Sequence, residues 1–118
     1  MAEELIAIQK TYDLVAWAVP AIGKFPRNHR FVLGERMENT LYNVLDALIE
    51  AKYYREERSG LLRRVNVLLE QFRFQVRLSR DLQCLGLKQY EHVSGLVQEV
   101  GRLVGGWEKA SRQADRAG

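Results

Sequence analysis

Cysteine, histidine and proline are all scarce in this chain of 118 residues. Cys84 stands alone, so no internal disulfide can form and a disulfide-stapled scaffold is excluded. His29 and His92 are isolated, and neither belongs to a Glu-x-x-His or HExxH pattern. A zinc site or a di-iron bundle needs such convergent ligands, so no metal and no other cofactor is expected. No glycine-rich loop opens a helix, because Gly105 and Gly106 come at a helix end, and no spacing suggests a Ser-His-Asp arrangement. The opening MAEELIAIQK has acids where a signal peptide needs positive charge. The longest apolar run, LVAWAVPAIG, is too short to span a bilayer and contains Pro20. The expected setting is the cytoplasm, without a membrane partner.

What is present is an ordinary globular balance, 47% hydrophobic and 28% charged, with a net charge of +3. One domain, 1–118, is expected from this length. The cations are rich in arginine and concentrate between Lys52 and Arg80, where they clearly outnumber the acids.

Apolar periodicity predicts four helices, at about 3–24, 29–55, 59–85 and 88–108, with a frayed tail over 109–118. The first carries Ile8, Tyr12, Val15, Val19 and Ile22 on one side and Ala7, Leu14, Ala18, Ala21 and Phe25 on the other. It should therefore be covered on both sides and bent at Pro20. The second buries Met37, Leu41, Val44, Leu45, Leu48 and Ala51, and the fourth Tyr90, Val93, Val97, Val100, Val104 and Trp107. Asn28 and Ser59 are placed as N-caps, and Gly86 as a left-handed C-terminal residue. Four such helices on short connections predict an all-α, antiparallel up-down-up-down bundle.

The third helix is the most informative. Leu61, Val65, Leu68, Leu69, Phe72 and Val76 form its core stripe, and Arg73, Arg77 and Arg80 form a ridge beside it at i, i+4, i+7. Glu70 and Asp81 are too few to neutralise these arginines together with Arg63 and Arg64, so the row is expected to bind a polyanion. Val67, Phe74, Leu78 and Leu85 form a second apolar ridge, and Leu14 and Ala18 offer a matching face on the first helix. These two ridges are the expected homo-oligomer interface. An acidic set on the second helix, Glu35, Glu38, Asp46 and Glu50, lacks a facing acidic pair and reads better as a solvated face than as a magnesium-dependent hydrolase.

The stretches YDLVAWAVPAIGKFPRNHRFVLGERMENTLYNVLDALIEAKY, LLRRVNVLLEQFRFQVRLSRDL and YEHVSGLVQEVGRLVGGW resemble the accessory variability determinant (Avd) of diversity-generating retroelements over about residues 8–108. The likeness is most specific at FPRNHRFVLGERM and GRLVGGW. Relatives of that family include four-helix proteins encoded in intervening sequences of 23S ribosomal RNA. The resemblance implies a cyclic pentameric barrel with a basic surface and no catalytic activity of its own. It implies binding to the reverse transcriptase and to template RNA and cDNA, in support of synthesis that miscopies adenines. The family's nucleic-acid surface would map onto Arg73, Arg77 and Arg80, with Arg27, Arg30 and Arg36 in the FPRNHRFVLGERM stretch as further candidates. The alternative is a ribosome- or rRNA-associated structural helical oligomer without a polymerase partner.

Overall fold

Each of the four expected helices forms and buries one apolar stripe. The computed structural model describes residues 2–117. Its long helices are α1 (Ala2–Gly23), α3 (Glu35–Tyr53), α4 (Arg58–Asp81) and α5 (Leu87–Ala117). Between the first two lie a single turn, α2 (Arg27–His29), and a π-helical segment (Arg30–Gly34) that runs straight into α3. No strand occurs among the described residues, and no described helix is long and apolar enough to cross a membrane.

Each long helix packs on two others, α1 and α4 both lying against α3 and α5. Contacts between the helices fix their directions. Ser79 near the end of α4 meets Met37 near the start of α3 at 3.1 Å, and Ser59 at the start of α4 meets Ser111 near the end of α5 at 3.0 Å. The Trp17 and His92 rings lie 5.1 Å apart, joining late α1 to early α5. The result is an antiparallel four-helix bundle measuring 51 × 23 × 19 Å.

The stripes of α3 and α5 face the core as their spacing requires, with only Leu45 and Tyr90 half-buried at the margins. In α4 the fully buried leucine of the first turn is Leu62, and Leu61 is half-buried against it. Three buried hydroxyls, Thr11, Thr40 and Ser79, donate to the carbonyls of Ala7, Arg36 and Gln75 one turn earlier, at 2.8, 2.9 and 2.8 Å, so none is left unpaired.

α1 turns the opposite way from the expectation. Ala7, Leu14, Ala18 and Phe25 lie in the protomer's own core, so Leu14 and Ala18 cannot supply an oligomer interface. Tyr12 faces solvent, with Ile8, Val15 and Val19 half-buried beside it. Ala7, Thr11 and Ala18 are buried on this face, and a comparison of two similarly apolar stripes does not reveal which one faces the core.

Several boundaries also differ. α4 stops at Asp81, and Gln83, not Gly86, takes the left-handed conformation, at φ 63°. That reversal swings Leu85 into the core at 4% exposure, removing it from the outer ridge. Gly86 starts α5 instead: its N–H donates to the Gln89 side chain at 3.0 Å, half of a capping box. Asn28 caps nothing, since Pro26 precedes the first turn. Ser59 lies inside α4 and bonds Ser111 and Asp115, the latter at 2.7 Å. These bonds, with an Arg112–Glu108 ion pair, hold α5 helical to Ala117 where a frayed tail was expected.

The α1–α3 corner depends on Gly34. A Cβ there would meet Ile22 Cγ2 at 2.7 Å, beneath a branched core side chain that cannot swing away. Gly34→Ala should therefore cost about 1–3 kcal/mol, read as a lowered urea midpoint at unchanged slope.

Candidate nucleic-acid interface

α4 presents three faces. Gln75 bonds Thr40 of α3 at 3.1 Å, and Arg73 reaches over Gly101 of α5, which fixes which flank faces which neighbour. The arginine row lies on the α5 flank. Val67, Phe74 and Leu78, at 54%, 60% and 45% exposure, lie roughly 100° further round, on the outer side toward α3.

The three guanidiniums of the row differ in freedom. Arg73 pairs with Glu70 at 3.1 Å, an exposed contact that competes weakly with a phosphate. Its guanidinium occupies the space above Gly101, where a Cβ would sit 2.6 Å from Nη2. Two stretches distant in sequence, LLRRVNVLLEQFRFQVRLSRDL and GRLVGGW, meet at this point. Arg77 is exposed and makes no ion pair among the described residues. Arg80 is half-buried and donates to the Leu85 carbonyl at 3.3 Å, stapling the α4–α5 turn. Beside the row, Arg73, Tyr90, Ser94 and Gln98 line a groove of about 280 Å³ between α4 and α5, supplying a cation, an aromatic ring and neutral donors.

The antiparallel order brings the second arginine set to the same end of the bundle as Arg77 and Arg80, without placing the sets side by side. Arg27 is exposed at the α1–α3 corner. Arg30 is structural in part: it donates at 3.3 Å to the carbonyl of Gly23, the last residue of α1, and its guanidinium lies 4.6 Å from the Phe31 ring centre. Arg36 lines the α3–α4 groove with Arg64 and Gln71. Arg63 and Arg64, both exposed, received no site role from the spacing argument because they precede the i, i+4, i+7 row.

Other cations are spent locally. Arg58 donates to the Ala51 and Lys52 carbonyls at 2.6 and 2.9 Å, so its charge closes the C-terminus of α3. Arg102 hydrogen-bonds Glu99, which holds that carboxyl below its usual range and raises the guanidinium in turn. Burial pushes the Cys84 thiol up, so it stays protonated at neutral pH and is a poor nucleophile. Among the described residues no three His, Cys, Asp or Glu side chains gather as a metal site.

The bAvd-like family model matches residues 5–111. The chain belongs to the bAvd-like family. That match takes in both the corner around Gly34 and the Arg73–Gly101 crossing, the two places where a family-like stretch explains a close approach. No curated protein is significantly similar to the chain.

Proposed function

We propose that this bAvd-like protein is a non-catalytic accessory subunit of a diversity-generating retroelement. It assembles as a cyclic homo-oligomer, a pentamer, in the cytoplasm. It binds the reverse transcriptase and the template RNA and cDNA, and supports copying in which adenines are misread. Family membership carries the retroelement part of this reading. The observation that carries the nucleic-acid part is α4 itself, where Arg63, Arg64, Arg73, Arg77 and Arg80 stand against only Glu70 and Asp81 once Arg58 is spent on α3.

Arginine suits this task because its planar fork can grip a phosphate in two places and can stack on an unpaired base. The Arg73–Arg77 row supplies phosphate contacts along one ridge, and Tyr90, Ser94 and Gln98 in the adjoining groove can meet a base. Arg27 and Arg36 extend the charge around the same end of the bundle, while Arg80 and Arg30 hold turns in place as well as contributing field. Cyclic assembly repeats the row around an axis and raises the local potential above that of one protomer.

A structural helical oligomer is the competing reading, favoured by the intramolecular contacts of Arg73 and Arg80. Cotranscribed template RNA and retroelement reverse transcriptase, assayed with and without this protein, separate the two. The accessory role predicts cDNA that depends on the protein and carries substitutions at template adenines. Equal yield and equal fidelity in its absence would remove that role.

A further inference from the structure

The groove between α4 and α5 joins one cation to chemistry of a different kind. Tyr90, Ser94 and Gln98 follow one another at i, i+4 and i+8 on α5, so they form a single line about 12 Å long. Val76 and Val97, both buried, make an apolar floor. Among the described residues no carboxylate lines the groove. Nearby polar side chains of α5 are committed elsewhere, Gln89 to the Gly86 N–H at 3.0 Å and Glu99 to Arg102 at 2.7 Å. The side chains of Tyr90, Ser94 and Gln98 make no hydrogen bond among the described residues and are open to a ligand. At the Gly101 end stands Arg73, whose guanidinium would yield to a methyl group on that glycine, so the bare α-carbon lets it lie there.

We propose that this groove is a pocket for one unpaired nucleotide, with its phosphate on Arg73 and its base on the Tyr90 ring. Gly101 positions the guanidinium, which can grip a phosphate in two places against only the exposed Glu70 as competitor. The Tyr90 ring offers a face for stacking, and Val76 and Val97 accept the edge of a ring system. The Gln98 amide and the Ser94 hydroxyl present both donors and acceptors to the base or ribose between them. A groove of about 280 Å³ lies at the lower end of small-ligand sites, roughly 300–1,000 Å³, which suits one residue of a strand. A paired base hides both its face and its edge, so duplex is excluded. A carboxylate ligand would use Arg73 but leave the ring and the apolar floor without a partner. This inference rests on the nucleic-acid part of the proposed function and adds recognition of a base to the phosphate contacts of the arginine row.

Separating base from phosphate tests it. A short abasic ribose-phosphate strand keeps every phosphate contact, and the same strand with one purine restored adds only a base. Wild-type protein should hold the one-base strand at least about 10-fold more tightly. Tyr90→Leu should lose that preference with an unchanged salt dependence, because no phosphate contact goes, and Tyr90→Phe should keep it. Gly101→Ala favours the helix and retains the Arg73 charge but pushes the guanidinium aside, so the preference should fall while circular dichroism stays the same. Equal wild-type affinity for the two strands would overturn the pocket and leave the phosphate row standing. A preference that survives Tyr90→Leu would overturn it too, as would displacement of the one-base strand by an acidic peptide as readily as by a nucleoside monophosphate. Retention of neither strand at about 50 mM salt would remove the nucleic-acid reading and the pocket together. Should Tyr90→Leu fail to fold, Gln98→Ala at an exposed position makes the same comparison, and an unchanged preference there overturns the pocket.

Discussion

Leu14→Asp should leave no folded protomer at 25 °C. Leu14 is fully buried, with 0% of its surface exposed, on the face of α1 that also carries Ala7 and Ala18. An aspartate there is surrounded by apolar side chains, and the nearest cation along the helix, Lys10 one turn earlier, is exposed, so the carboxyl must either ionise in a low-dielectric site or remain protonated among apolar groups. Adding the lost packing of a leucine, the cost is expected to exceed about 4–5 kcal/mol. That is a large share of the roughly 5–15 kcal/mol that holds a single domain together. Circular dichroism should show loss of helix and no cooperative melt. Soluble, fully helical monomers would instead mean that Leu14 faces a neighbouring subunit, contrary to its position here.

The second large effect is on binding. Arg73→Glu combined with Arg77→Glu should weaken retention of single-stranded RNA about 10- to 100-fold near 0.1 M salt, because two phosphate contacts are lost and two repulsions gained. The fold should survive, since both positions are exposed and the Glu70–Arg73 pair is a surface contact worth at most about 1 kcal/mol. Thermal melting of the variant checks this separately. A melt lowered as far as the binding would show that the row serves mainly to pack α4 against α5.

The parts of the fold that were legible in the sequence are those where one helix face is apolar and the opposite face polar. α3 and α5 meet that condition, and their core stripes follow from spacing, although spacing omitted the buried Thr40 and Ala47 of α3 and placed half-buried Leu45 and Tyr90 in the core. α1 does not. It is apolar nearly all round, so hydrophobicity could not distinguish the face built of Ala7, Leu14 and Ala18 from the one built of Ile8, Tyr12 and Val19. Which of the two faces is buried is set by tertiary packing. Leu85 was misplaced because its assignment assumed that α4 continued past Asp81, and a reversal at a non-glycine residue, Gln83, has no strong sequence signal. The π-helical segment before α3 is equally silent, since Gly34 is required by Ile22, a residue in another helix.

For the candidate interface, spacing correctly gathered Arg73, Arg77 and Arg80 on one ridge, because i, i+4, i+7 geometry is intrinsic to a helix. It could not foresee that Arg73 would lie over Gly101 or that Arg80 would close the turn at Leu85. Nor could it show that the second arginine group shares the same end of the bundle. The outer apolar ridge was legible in α4 for Val67, Phe74 and Leu78, but not for Leu85, which the chain reversal at Gln83 carries into the core.

The most direct measurement is RNA affinity followed from about 50 to about 200 mM salt, for the wild type and for Arg73→Glu/Arg77→Glu. A phosphate-reading surface predicts a straight fall of log affinity with log salt, with a slope shallower by about 1.4 in the variant, the contribution of two single-strand contacts. No retention of RNA at the lowest salt, or identical slopes for the two proteins, would contradict it.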